Sequence, residues 1–394
     1  MALRILQVSS AYYPYPSGVT EAVHNLSVAL SSIGHSVSIL TTSFKLKIND
    51  EVKTDIPVQR FGRALLIPGN KSYATFPFGL KIPFQVRNFL RKNHFDVIHM
   101  HGIFPPEIGF WALHYSRAVN VTTINTYNEK LLAVPISLIE GLFKRYLVKL
   151  HGRIAISSAC KSSIERFIPG DYRIIPHGVD IHAFSPQTPP FADLSRFGCP
   201  VLLFLGRIDK RKGLEVILKA LPRILKELGT VKLVVVGTGP ELASAQALTN
   251  RLGIQQAVVF KGFVPREDLP RYYASCDTYI SPAIGGEAQG IVLLEGMASG
   301  KAVIASNIAG YNETIRNGET GLLFPPGDAE ALSRTVMTVL QNTDLRKRLE
   351  RNGRQESIAN SWQSVAQRIE NYYYELLAIR QQPVARSGRG AVTG

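Results

Sequence analysis

Short apolar runs alternate with longer amphipathic stretches along the first half of the chain. "RILQVSS" (4–10) has the pattern of a buried strand ending in a small-residue loop. The next stretch, "TEAVHNLSVALSSIG", sets Val23, Leu26, Ala29, Leu30 and Ile33 on one helical face, and Gly34 stops it. "HSVSILTTS", "FDVIHMHG", "VTTINTYN" and "RIAISS" follow as further strands, with helical pattern between most of them. This alternation predicts a parallel, doubly wound sheet.

The alternation restarts near residue 200. "CPVLLFLGRID" reads as strand and loop, "GLEVILKALPRILKELG" as helix, and "VKLVVVGTGP", "AVVFKGFV", "DTYISPA" and "KAVIASN" as further strands. Between the halves, "HGVDIHAFSPQTPPFADLS" (177–195) is proline-rich and polar, as an interdomain linker is. The expected division is a first domain over 1–185, a second over 196–361, a helix over 362–380 packing back on the first, and a disordered basic tail over 381–394. No short-period repeat points to a solenoid. In parallel α/β sheets, ligands bind beyond the carboxyl ends of the strands, so two such domains facing each other form a cleft there.

Composition narrows the class. The 394 residues are 45% hydrophobic and 19% charged, which suits globular domains with ample cores. Lys and Arg outnumber Asp and Glu by 45 to 30, a net charge of +15 that favours a polyanionic partner, nucleic acid or an anionic membrane. Three scattered cysteines form neither a zinc motif nor a disulfide framework. No run reaches the ~18 apolar residues of a membrane span, and "MALRILQVSSAYYPYPSG" is too interrupted for a signal-peptide core. The expected location is the cytoplasm, peripheral at the cytoplasmic face of the membrane.

The candidate chemistry clusters after strands. In "LGRIDKRKG" (205–213), Arg207 follows Gly206 directly and Lys212 precedes a helix. Two cations at a strand–helix junction suit a diphosphate; the competing view is a solvated basic loop. In "EAQGIVLLEGMASGK" (287–301), a helix is expected to begin near Gly290. The amides of Gly290, Ile291 and Val292 would face a phosphate there. Glu287 would lie in the loop and Glu295 more than one turn along the helix. Each carboxylate can accept from adjacent sugar hydroxyls, the geometry a nucleotide sugar requires. The alternative makes Glu287 a loop charge and Glu295 a partner within its own domain. Gly18 stands before the first helix, where backbone can approach a phosphate. His99 and His101 point the same way along their strand, and His101, nearer its end, could polarise a hydroxyl or be purely structural.

Together these segments resemble the retaining glycosyltransferases of family 4, over nearly the whole chain. The resemblance rests on "EAQGIVLLE" with "GMASGKAVIAS" behind it, "GRIDKRKG", "HGVD" and "GHSVSILTT". The phosphatidylinositol mannosyltransferases are a similar branch, with a comparable "GGE". The resemblance implies an α/β fold of GT-B architecture, two facing Rossmann-like domains around a cleft. It implies Glu287 on the donor sugar, Glu295 on the ribose, and Arg207 and Lys212 on the diphosphate. Gly18 and the amides of Gly290, Ile291 and Val292 would assist, with His101 beside the sugar and backbone around Val264 framing the base. The substrate would be a UDP- or GDP-linked sugar, with no further cofactor. Three positions depart from the family: Gln289 where an aromatic is usual, Ser17 before Gly18 where a glycine pair is frequent, and Tyr127 where a histidine is common.

No Asp-x-Asp metal motif is present, so a metal-independent hexosyl transfer is expected, with Arg207 and Lys212 taking the metal's place. Residues 56–95 lack acidic side chains and mix Arg60, Arg63, Lys71, Lys81, Arg87, Arg91 and Lys92 with aromatics and aliphatics. Segment 131–153 is also apolar and basic. Both suit an anionic membrane surface and a lipid-linked or glycan acceptor. The competing functions are a nucleotide-sugar epimerase of the same architecture and a non-enzymatic nucleic-acid binder. The ordered donor motifs argue against the first, and the dispersed charge against the second.

Overall fold

The computed structural model describes residues 1–15, 17–44, 54–69, 72–104, 107–125 and 145–381. Its first sheet has eight strands: β1 (Arg4–Val8), β2 (Ser36–Ser43), β3 (Val58–Gly69), β4 (Ser72–Phe78), β5 (Val97–Met100), β6 (Val119–Ile124), β7 (Gly152–Ala155) and β8 (Arg173–Ile174). Their spatial order is β4-β3-β2-β1-β5-β6-β7-β8. Helices α1 (Gly18–Ser32), α2 (Ile82–Lys92), α3 (Ile108–Tyr115) and α4 (Ser158–Ile164) connect them. α1 starts where Ser17 Oγ accepts the Thr20 N–H at 3.1 Å, and Val23, Leu26, Ala29 and Leu30 of its expected face are buried.

The second sheet is wholly parallel. Its strands are β9 (Val201–Leu205), β10 (Lys232–Val236), β11 (Val258–Gly262), β12 (Thr278–Ser281), β13 (Ala302–Ser306) and β14 (Leu322–Phe324), in the order β11-β10-β9-β12-β13-β14. Around it lie α5 (Leu214–Leu228), α6 (Leu242–Arg251), α7 (Leu269–Ala274), α8 (Ile291–Ala298), α9 (Ala329–Gln341) and α10 (Thr343–Ala359). Central strands are buried along their length, as both faces of a parallel sheet are covered by helices. In each sheet the strand order reverses once, at β1/β5 and at β9/β12. Crevices open at such switch points, so the loops after these four strands form the natural site.

The pattern of the chain did not announce every element. β3 and β4 form an antiparallel hairpin, pairing Arg63 with Phe78 through Gly69 with Ser72, inside the stretch that composition marked only as basic and aromatic. β12 stops at Ser281, short of Ala283, because Pro282 has no N–H to continue the ladder. The linker is less solvated than its prolines imply, since Val179, Phe184 and Leu194 are buried in the second core.

The final helix, α11 (Trp362–Gln381), returns to the first half, and its last residue takes one position from the expected tail. Trp362, Val365, Ala366, Ile369 and Tyr373 pack in one cluster with Leu3, Ile5, Val23, Leu26 and Leu30. The chain passes between the halves twice, at neighbouring places. Val179 N–H donates to Asn360 O at 3.0 Å, and Trp362 N–H donates to Val179 O at 3.3 Å. Tyr127, most of segment 131–153 and tail residues 382–394 lie outside the described residues.

Because α11 completes the first core, Trp362→Ala should cost about 3–5 kcal/mol of stability. A urea melt read by tryptophan-independent circular dichroism checks this. An unchanged midpoint would show that α11 adds nothing to the first half.

Candidate active site

The loop after β9 carries the cations. Asp209 caps a 3-10 turn over Lys210–Lys212, its Oδ1 accepting the Lys212 N–H at 3.0 Å, and Arg207 Nε lies 3.8 Å from Asp209 Oδ2. The turn ends at Gly213, φ +70°, where a Cβ would stand 2.0 Å from Pro282 O, so only glycine fits. Arg211 and Lys212 thereby reach across to the loop after β12. Lys212 Nζ is 2.7 Å from Glu287 Oε1, and Arg211 Nη1 bonds the same oxygen and Gly286 O. Asp209 and Arg211 were not singled out from the sequence, although an acidic residue three positions before Lys212 is a capping signature.

Glu287 and Glu295 occupy opposite electrostatic environments. Burial works to raise the Glu287 carboxyl, but Lys212 and Arg211 outweigh it and hold its pKa below the ordinary value. Glu295 lies inside α8, where its Oε2 accepts the Tyr273 hydroxyl at 2.9 Å. Burial pushes its pKa up from 4.5 to about 7, with the Tyr273 bond opposing. So Glu295 does pair within its own domain. α8 begins at Gly290, φ +80°, where a Cβ would meet the Tyr311 ring at 2.4 Å. A helix has no internal acceptor for its first amides, so Ile291 and Val292 present theirs beside the Glu287 loop.

Beyond β9 and β10 a cavity of about 480 Å³ opens, lined by Gly206, Arg207, Gly237, Gly239, Phe263 and Val264. The volume is within the usual range of small-ligand pockets. Across the cleft, none of the described residues lies within 4 Å of where a Cβ on Gly18 would be, which leaves its backbone open to approach from their side. Nearby, Arg266 of the second half ion-pairs with Glu21 and bonds the Tyr13 hydroxyl of the first. At another part of the interface Glu313 caps α4, accepting the N–H groups of Ser158 at 2.7 Å and Ala159 at 3.0 Å.

His101 follows β5. Its Nε2 is 2.9 Å from the Gln7 carboxamide and its Nδ1 is 3.4 Å from the Asn125 carboxamide. Burial, then the neighbouring His99 and His177, hold its pKa well below 6.5. His101 is therefore a neutral ring held between two carboxamides. His99 stacks on it with centroids 4.6 Å apart, and serves the core through Tyr373 and Thr123, each at 2.6 Å.

Residues 193–356 match the family described as glycosyl transferases group 1, and residues 16–183 match glycosyltransferase family 4. The chain is 33% identical over 372 residues to the phosphatidyl-myo-inositol mannosyltransferase of Mycobacterium leprae, spanning 94% of this chain and 96% of that one. It is 28% identical over 350 residues to the alpha-monoglucosyldiacylglycerol synthase of Streptococcus pneumoniae, spanning 82% and 75%. Among solved structures, a glycosyltransferase from Rickettsia africae superposes with a TM-score of 0.76 at 23% identity, covering 95% and 99%. Anabaena HepE in complex with UDP and glucose gives 0.73 at 20%, covering 95% and 100%.

The Glu295 environment makes a testable pH signature. The folded protein holds its proton more tightly than the unfolded chain does. The resulting stabilisation is full below the ordinary value of 4.5 and is lost as pH rises through about 7. Glu295→Gln has no proton to lose, so its stability relative to wild type should climb by roughly 1.4 kcal/mol per pH unit between about pH 5 and pH 7. Melting temperatures across that range check it; a difference that stays constant with pH would refute the assignment.

Proposed function

We propose that this chain, which belongs to the GT-B glycosyltransferases of group 1 and family 4, transfers a hexose with retention to the hydroxyl of a membrane lipid. That it is a glycosyltransferase using a nucleotide-sugar donor follows from the family; sugar, acceptor, stereochemistry and residue roles are our reading. The epimerase and nucleic-acid-binding alternatives are not favoured, since transferase families match both halves.

The observation that carries the reading is the contact of Glu287 with Arg211 and Lys212 beside the N-terminus of α8. Breaking the bond from anomeric carbon to diphosphate develops negative charge on the leaving group. Arg207, Arg211, Lys212 and the amides of Ile291 and Val292 are fixed positive ends that stabilise such charge, work a bound metal does elsewhere. An incoming diphosphate competes with Glu287 for Arg211 and Lys212. The carboxylate so released turns to hydroxyls of the donor sugar. Held by those hydroxyls rather than aimed at the anomeric carbon, Glu287 serves as a sugar ligand, which favours acceptor attack from the face the diphosphate leaves over a covalent Glu287 intermediate. Neutral His101 orients a hydroxyl near the sugar, Glu295 receives the ribose hydroxyls, and the cavity by Val264 takes the base.

The acceptor side rests on the likeness to a phosphatidyl-myo-inositol mannosyltransferase and an alpha-monoglucosyldiacylglycerol synthase, and on the β3–β4 hairpin with α2. Leu65, Phe78, Leu80 and Phe84 are exposed there, Leu80 at 95%, among exposed Arg63, Lys81, Arg87, Arg91 and Lys92. An apolar patch rimmed by cations fits an anionic bilayer surface. Among the described residues no helix is long and apolar enough to cross a membrane.

Thermal stabilisation across UDP-, GDP- and ADP-sugars should single out one nucleotide, and Glu295→Ala should weaken its effect. Glu287→Ala should bind that nucleotide diphosphate as well as wild type or better, yet lose about 10²-fold or more in transfer. Equal losses of binding and transfer would contradict the exchange of partners; no response to any donor would contradict the site. For the membrane, the protein should co-sediment with phosphatidylglycerol vesicles at low salt. The double change Leu80→Ser, Phe84→Ser should weaken binding about tenfold. Wild-type protein left in the supernatant would refute the docking surface.

A further inference from the structure

The loop that carries Glu287 belongs to the second half of the molecule but is tied to the first. Ser157 Oγ donates to Ala288 O at 2.6 Å. Gln289 then makes a matched pair of bonds with one backbone residue: its Oε1 accepts the His177 N–H at 2.7 Å, and its Nε2 donates to His177 O at 3.0 Å. The orientation of the carboxamide is unambiguous, because each end faces a group of the opposite kind. The side chain is 4% exposed, so loss of either bond would strand a buried polar group. The loop backbone is held from its other side as well, where Thr314 Oγ1 donates to Gln289 O at 2.8 Å.

His177 leads toward the other half of the site. Its ring packs on Trp362 of α11, with centroids 5.9 Å apart. It also shares with His101 and Thr123 the wall of a cavity of about 10 Å³, the scale of a single water. One side chain thus connects the loop of Glu287 to the residue bordering the floor of His101. An apolar side chain of similar size would fill the space, but apolar contact is non-directional and would leave the register of the loop to the single Ser157 bond across the cleft. Two hydrogen bonds to a single residue fix its position along the cleft.

We propose that Gln289 is a positioning residue, whose paired hydrogen bonds to His177 set the Glu287 loop in register with His101. This rests on the reading of Glu287 as the donor-sugar ligand. Gln289 touches neither substrate nor reacting atoms; it acts through the loop.

Two variants test it, assayed with GDP-mannose and UDP-glucose on phosphatidylcholine vesicles containing phosphatidylinositol or diacylglycerol. Q289L keeps the bulk and loses both bonds. Its kcat should fall about tenfold or more while the Kd for GDP or UDP stays within about twofold, because Arg207, Lys212 and the α8 amides are untouched. Q289E is isosteric. Its neutral carboxyl can accept from His177 N–H and donate to His177 O, whereas its ionised form faces that carbonyl with a negative charge. Burial favours the neutral form, so kcat relative to wild type should recover as pH falls from about 8 to about 6, while Q289L stays flat. Glu287, Glu313, Cys160 and the His177 ring also border this loop, but wild type carries them too and normalisation cancels them.

Wild-type kcat in Q289L, or losses in kcat and nucleotide affinity that move together, would overturn the proposal. So would a Q289E profile parallel to wild type. Should wild type transfer no sugar, the functional reading fails, and hydrogen exchange then decides the anchorage by itself. The amides of 286–290 and His177 should exchange about tenfold faster in Q289L, and unchanged protection would overturn it.

Discussion

A single carboxylate balances the cleft. Glu287 sits against Arg211 and Lys212, and this contact bridges the loops after β9 and β12 at the switch point of the second sheet. Without an anion between them, two cations presented by one 3-10 turn would repel each other in a partly buried site. Without the cations, Glu287 would be a buried charge with its solvation lost. Each explains why the other can be there. Asp209 orients the turn, Gly213 lets it pass under Pro282, and Gly290 lets α8 start beside the Tyr311 ring. The same balance makes the site receptive: a phosphate can replace one anion with another at little electrostatic cost.

The second electrostatic theme is neutrality. His99, His101 and His177 are all buried, and each is kept from protonating first by burial, with His99 and His101 further opposed by neighbouring rings. Glu295 stands near the midpoint of its titration at neutral pH. Through His99 and His101 the first half thus contributes uncharged hydrogen-bonding groups, while the second contributes the Arg211 and Lys212 cations. Such an asymmetry suits a reaction in which charge grows at the diphosphate and little is wanted at the entering hydroxyl.

Much of this was legible in the amino-acid order because the strands that matter are buried on both faces and carry period-breaking apolar runs, and helices such as α1 have clean caps. The doubly wound architecture, the loops after strands, and the grouping of Arg207, Lys212, Glu287 and Gly290 near one cleft follow from local pattern. What did not follow depends on long-range partners or blurred periodicity. The β3–β4 hairpin mixes basic and aromatic residues without clean alternation, so its strands left little signal. Tyr273 lies 22 positions from Glu295, and His177 112 from Gln289, separations that no local spacing rule reaches. Arg211 was hidden in a run of three basic residues, whose directions are decided by the Asp209 cap.

The double passage between the halves has a consequence of its own. Val179 and Ser361 lie side by side, so the whole second half is an insertion whose entrance and exit share one doorway. Two neighbouring strands of chain allow swinging about the line that joins them and resist twisting or sliding across it. The shared doorway also means that the second half could have been acquired, or exchanged, as a single cassette without threading the first.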